Sequence, residues 1–217
     1  MKEAFKTIYE GGVGEVTMKK SRFIATVCPV ESESAAIEVI EALKKKYWDA
    51  SHNCSAYIIG TEQPLLRCSD DGEPSKTAGR PMLDVLLTHE LVNIVVVVTR
   101  YFGGTLLGTG GLVKAYQSAT LEGLSNSIII TKELGIRVSI LTDYNLIGKL
   151  QYYIAQEQLT VLCSDYTELV HLEVLVPPSR YQGFIKKITE LTNASAILDE
   201  AGSVYYTSIE GKVVLFE

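Results

Sequence analysis

Arg100 and Lys114 flank five glycines packed into nine residues, Gly103, Gly104, Gly108, Gly110 and Gly111. Glycine lets a backbone take positive φ and lie close to whatever it faces. Before this loop stands an apolar run, Ile94 to Val98, too short and too β-branched for a helix and therefore read as a buried strand. After it a helical pattern begins near Gly111, with Leu112, Tyr116, Ala119 and Gly123 on one stripe. The first amides of a helix lack intrahelical partners and carry the positive dipole end, so strand, glycine loop and helix start together make a candidate anion site. Lys114 sits where a cation is unfavourable for the helix alone, and a bound anion would relieve that conflict. The motif is neither G-x-x-x-x-G-K-[ST] nor G-x-G-x-x-G. A purely structural turn therefore stays open beside a ligand loop.

A second set of candidates is acidic. Asp70, Asp71 and Glu73 fall within four residues of a polar, turn-rich segment running to Pro81. Such a group could hold a hard cation or supply a general base, although the EF-hand spacing is absent. His52 and Cys54 would share one face of a strand and invite a Cys/His nucleophile reading, without an orienting third group in view. The four cysteines, Cys28, Cys54, Cys68 and Cys163, lie far apart with no C-x-x-C pair, so neither structural zinc nor a disulfide framework is expected. No cofactor motif is expected either.

The elements that must position these groups fall into two parts. The first 20 residues read as a polar segment with a turn at Gly11, Gly12 and Gly14. A strand follows over Ser21–Val27, then a helix from about Glu33 to Trp48, capped by Ser32, with Lys44, Lys45 and Lys46 at its end. Further strands are expected at Ser55–Gly60 and Leu65–Cys68, and a helix over Pro81–His89. After Ile128–Ile130 the domain boundary is placed near Lys132-Glu133, giving domains 1–133 and 134–217. The remainder reads strand (134–141), helix (144–158), strand (160–164), strand (168–176), helix (179–192) and closing strands. This is the β-α-β-β-α-β order of a ferredoxin-like domain. His171 alternates with Val170, Leu172, Val174 and Val176 and is expected to face solvent or a neighbour; no chemistry is expected in this half, whose expected role is interaction or support.

The net charge of −6 comes from 14 basic against 16 acidic residues up to Glu133 and 6 against 10 beyond it, so neither half is a basic domain. Loose charge-driven binding to nucleic acid is disfavoured, while a local patch for phosphate is not. Reduced thiols, the lack of a signal-peptide core and the lack of a run of roughly 20 apolar residues imply a cytoplasmic protein without membrane contact.

Four motifs in order, Lys20-Ser21-Arg22-Phe23-Ile24-Ala25, His52 to Tyr57, Asp70 to Pro74 with Thr77-Ala78-Gly79, and Arg100 through Tyr116, resemble the IMPACT family in its bacterial YigZ/YvyE-like branch. The resemblance implies an α+β protein: an N-terminal ribosomal protein S5 domain 2-like domain followed by a ferredoxin-like domain similar to domain V of the translocating elongation factor. It also implies a role linked to translation. Eukaryotic relatives carry an RWD domain and compete for a kinase's activator. Only about 20 residues precede the first motif here, so that module and that competition are not expected.

Two functions follow. One is a non-enzymatic translation regulator binding RNA, the ribosome or a translation protein through Arg22, His52, Arg100, Lys114 and the loop of Gly103, Gly104, Gly108, Gly110 and Gly111. The alternative is a small-molecule or nucleotide-phosphate-binding enzyme of GHMP-like topology, with Asp70, Asp71 or Glu73 as base or metal ligand. A protein interaction module with a purely architectural glycine motif is the blander third.

Overall fold

The computed structural model describes residues 1–216 as two units, Met1–Thr131 and Lys132–Glu217. In the first, five strands β1 (Ala4–Glu10), β2 (Val13–Met18), β3 (Ser21–Pro29), β4 (His52–Ile59) and β5 (Leu65–Ser69) precede β6 (Ile94–Tyr101), and three helices α1 (Glu33–Lys46), α2 (Gly79–Thr88) and α3 (Gly108–Ser125) cover them. The main sheet runs β2-β3-β6-β4-β5, antiparallel throughout. β6 is central, and the two helical layers explain its unbroken apolar run. Ile94, Val96 and Val98 enter the core under α2 and α3, while Val95 and Val97 enter the core under α1. A strand buried on both faces has no polar face to show.

α1 forms as its sequence directs. The Ser32 hydroxyl accepts from the Ala35 amide at 3.2 Å, and Ala36, Ile40 and Leu43 are the buried stripe. It ends at Lys46, two residues short of the expected Trp48. The larger correction lies at the N-terminus, where the expected polar segment is two strands. Phe5 and Thr7 are buried at alternate positions of β1, a period-2 signal that Lys2, Glu3 and Lys6 mask. Gly14 belongs to β2 rather than to a turn, because a Cβ there would come within 2.4 Å of the α3 backbone at Glu122.

β7 (Ile128–Thr142) begins in the first unit and continues into the second, where α4 (Tyr144–Gln156), β8 (Thr160–Tyr166), β9 (Val170–Val176), α5 (Pro178–Leu191), β10 (Ile197–Ile209) and β11 (Lys212–Phe216) follow in order. The sheet order β11-β10-β7-β9-β8 is the ferredoxin-like arrangement with β11 added as a hairpin at one edge. Val138, Ile140, Val170, Leu172 and Val174 pack on Leu150, Ile154, Phe184 and Ile188 of the two helices. Two pairs of expected short strands are each one long strand here. β7 runs without a break through the anticipated boundary, and β10 continues past a bulge between Glu200 and Ser203. The S5 domain 2-like and ferredoxin-like α+β architecture is therefore the fold of the chain.

Candidate functional site

Sheet register builds the floor of the site. Phe23 on β3 and His52 on β4 both pair with Arg100 on β6, so the three side chains form a row at the end of the sheet, on the face under α3. Below them in the same columns lie Ala25, Val98 and Cys54, all fully buried. Arg100 thus extends an apolar column, and its charge must be answered locally.

The answer is Glu73. The loop between β5 and α2 brings its carboxylate down onto Arg100, with Nη1 donating to Oε1 at 2.5 Å, and the two side chains are only 6% and 3% exposed. The Tyr116 hydroxyl of α3 donates to the same oxygen at 2.8 Å. The guanidinium is held between the rings of Phe23 and Phe102, at 5.4 and 5.5 Å. Its Nε is buried without a partner, and Nη2 lies 3.5 Å from Ser21 Oγ, which accepts from the Gly103 amide at 3.1 Å. Arg100 consequently offers a neutralised pair to the solvent side, not a free cation.

The other reactive-looking groups are also engaged. Cys54 Sγ lies 3.0 Å from the Asp70 carbonyl and 3.3 Å from Tyr116 Oη, so its one proton has an acceptor on either side, and burial pushes the thiol up to about 12. Burial likewise raises the Tyr116 phenol, with Cys54 and Glu73 adding to the effect. A thiol held protonated is no nucleophile near neutral pH, so the His52/Cys54 pairing is not a catalytic couple. His52 Nδ1 lies 2.8 Å from the Asp71 carbonyl, which can only accept. Nδ1 therefore carries a proton, and Nε2 stands 3.9 Å from Glu73 Oε1.

The three carboxylates expected to act together diverge. Asp70 caps the start of α2, accepting from the amides of Ala78 and Gly79 with Oδ1 and of Lys76 with Oδ2. Asp71 accepts from the Asn53 amide at 2.7 Å and faces Lys44 Nζ at 3.4 Å. Glu73 alone reaches the floor of the site. Their adjacency in sequence reflects one loop that pins three different neighbours, so no shared metal cluster forms from them.

Above this floor opens a cleft of about 510 Å³, walled by Pro74, Phe102, Leu106, Leu107 and Leu112 and edged by Gly108 and Thr109. The glycines have separate reasons. Gly104 and Gly108 adopt φ of +79° and +74°, and a Cβ on Gly103 would lie 2.1 Å from the backbone of Lys20. Gly111 abuts Leu107, with a Cβ position 3.0 Å from its Cβ. A Cβ on Gly110 would meet nothing within 4 Å, so packing does not account for that glycine. α3 starts three residues earlier than the sequence pattern indicates, at Gly108, with no side-chain cap and no acidic residue in its first turn. Gly108 and Thr109 of its first turn line the cleft.

Of the residues expected to converge, His52, Arg100 and the glycine loop do so, and Arg22 and Lys114 do not. Arg22 pairs with Tyr101, on the sheet face opposite Arg100, and is forked onto Glu15 by two bonds of 2.9 Å. Lys114 is exposed and lies two residues, about 200°, from both Leu112 and Tyr116, on the outer side of α3. Sequence reasoning missed Tyr116 and Phe102 as site residues, along with the exposed lysines Lys19 and Lys20 in the turn beneath Gly103. An aromatic in the glycine motif and a basic pair before the first strand were the available signals.

In the second unit, Cys163, Asp165 and His171 form the one group of metal-capable side chains found among the described residues. No described helix is long and apolar enough to cross a membrane.

Comparison with known proteins gives the site its context. Residues 19–124 match the Impact N-terminal domain and residues 140–195 a domain of unknown function, DUF1949. The chain is 38% identical over 205 residues to the IMPACT family member YvyE of Bacillus subtilis, covering 94% of each protein. It is 34% identical to YigZ of Escherichia coli, covering 82% of this chain and 88% of that one. A crystal structure described as a hypothetical protein, 32% identical, superposes with a TM-score of 0.60 over 91% of this chain and 97% of the other.

Proposed function

The chain belongs to the IMPACT family, and from that premise we propose that it is a translation-linked regulatory protein that acts by binding, docking the mouth of the cleft onto RNA of the translation machinery. The observation that carries this reading is the composition of the rim. Phe102 and Leu106 are 48% and 82% exposed beside the uncapped first turn of α3 and the Lys19–Lys20 turn. An exposed ring can stack on an unpaired base, while backbone amides and two ammonium groups take phosphate oxygens. Gly110 leaves bare backbone at that edge, which suits close approach by a ligand. Binding in place of catalysis is supported by the state of the interior, where Cys54 and Tyr116 are held protonated and the Glu73 charge is matched by Arg100.

Co-sedimentation with ribosomes on sucrose gradients, with and without ribonuclease, tests the proposal. The protein is expected in the ribosomal fractions, released by ribonuclease and by raised salt, and weakened in Phe102→Ala and Lys20→Ala. Association indifferent to ribonuclease, salt and both substitutions would overturn the RNA reading and point to a protein partner. A thermal-shift screen with nucleotides and Mg²⁺ covers the enzyme alternative, since a specific ligand at 100 times its Kd stabilises by about 2.7 kcal/mol.

A further inference from the structure

The second sheet has a face that α4 and α5 do not use. Val170, Leu172 and Val174 of β9 point into the helical core, so His171 and Glu173 between them point the other way. β8 pairs Asp165 with His171 and Cys163 with Glu173 across the β8–β9 hairpin, which puts both residues on that second face. A register shift between Val161 and Cys163 sets this, because Val161 is still paired with Val174 on the helical side. Bulges commonly re-aim side chains in this way.

We propose that Cys163, Asp165 and His171 bind a divalent transition metal, zinc foremost, with a fourth position left for water or an added ligand. The three donor atoms lie within 4.8 Å of one another. Cys163 Sγ stands 3.0 Å from Asp165 Oδ2, and His171 Nδ1 stands 3.7 Å from the same oxygen. A tetrahedral zinc with ordinary bond lengths needs separations of about 3.5 Å for sulfur to oxygen and about 3.3 Å for nitrogen to oxygen. The apo geometry is therefore within about 0.5 Å of both. Thiolate, imidazole and carboxylate together suit zinc and its neighbours over magnesium or calcium, which take oxygen alone.

The surroundings fit a ligand histidine. Ser139 Oγ lies 2.8 Å from His171 Nε2, so a proton on Nε2 donated to the serine leaves the Nδ1 lone pair free for the metal. Such an outer partner fixes the ring and its tautomer. Glu173, opposite Cys163, is taken by Arg137 and does not compete. On binding, the Sγ–H bond is replaced by an Sγ–metal bond and the proton leaves to solvent. One thiolate and one carboxylate balance the dication.

Cobalt(II) added to the full-length, reduced protein reads the site directly. One equivalent is expected to give a thiolate-to-cobalt charge-transfer band and the intense visible bands of tetrahedral cobalt, both removed by equimolar zinc. Cys163→Ser should abolish the charge-transfer band, His171→Gln should weaken binding strongly, and Ser139→Ala should weaken it about tenfold. Cys68→Ser, which removes an exposed thiol elsewhere, should change nothing. A wild-type protein without the band at one equivalent would overturn the proposal. So would a band that survives Cys163→Ser or disappears in Cys68→Ser. Circular dichroism of each variant separates loss of ligand from loss of fold.

Discussion

Replacing Glu73 by Gln keeps the shape of the side chain and an oxygen for the Tyr116 hydroxyl, and removes only the charge that faces Arg100. The guanidinium would then sit 94% buried, between two aromatic rings, with Nε already unpartnered and Ser21 Oγ at the limit of hydrogen-bond distance. Breaking one side of a buried ion pair costs about 3–5 kcal/mol, because the remaining charge is uncompensated. An exposed pair such as Arg80–Asp84 would lose at most about 1 kcal/mol. With a urea m-value of about 2 kcal/mol/M, the larger cost moves the unfolding midpoint down by about 2 M. Urea unfolding followed by circular dichroism is the assay, with Arg100→Met and the double variant Glu73→Gln/Arg100→Met alongside. The double variant should recover part of the loss, since neither charge is then stranded. A Glu73→Gln midpoint within about 0.3 M of wild type would refute the reasoning, as it would mean that water or a mobile loop already screens the pair.

Gly110→Ala should leave stability unchanged or slightly raised, because alanine favours a helix over glycine by up to about 1 kcal/mol and nothing stands within 4 Å of the new methyl. The same variant should reduce ribosome association, whereas Gly103→Ala, driven into the Lys20 backbone, should lower the thermal midpoint. Asp70→Ala removes three amide acceptor contacts around the start of α2 and should cost about 2 kcal/mol in urea unfolding. The Cys54 thiol ionises at about 12 in the folded chain against 9.0 as its ordinary value, so the native state holds that proton longer. Its contribution is complete below pH 9 and is lost above it, at about 1.4 kcal/mol per pH unit. The urea midpoint should fall between pH 9 and 11, less steeply in Cys54→Ala.

The elements legible in the sequence are those whose signal is local. Ser32 with its apolar stripe declares α1, and the run from Ile94 to Val98 declares a strand covered on both faces. The β-α-β-β-α-β order of the second unit follows from alternating periods. β1 and β2 are not legible, because exposed Lys6 and Glu15 break up the apolar pattern, the buried position of β2 is a glycine, Gly14, and its packing partner Glu122 lies far along the chain. The candidate site divides along the same line. Arg100 and the glycine loop stand out by type and spacing, yet the charge on Arg100 is matched by a residue 27 positions earlier through a loop whose descent no local pattern encodes. Cys163 and His171 carry no local metal signal, since the cysteines form no C-x-x-C pair and His171 stands alone among apolar neighbours. What joins them is the register of one hairpin, and a bulge decides it.

The Glu73–Arg100 pair also constrains what the cleft can recognise. With Arg100 neutralised, Arg22 forked onto Glu15 and Lys114 on the outer side of α3, Lys19 and Lys20 remain as cations, exposed in the turn whose Lys20 backbone abuts Gly103. Each phosphate neutralised steepens the salt dependence of binding by about 0.7 to 0.9 in log–log slope, so two lysines give a slope of about −1.4 to −1.8, far shallower than that of a basic nucleic-acid-binding domain. A chain of net charge −6 gains little from the general field of RNA and is repelled by it at long range. On the proposed reading, affinity is then expected from the exposed ring of Phe102, from the start of α3 and from the shape of the loop. On the proposed RNA reading, these groups favour unpaired bases presented by a folded RNA over an arbitrary strand, and recognition is expected to be selective because so little of it is charge.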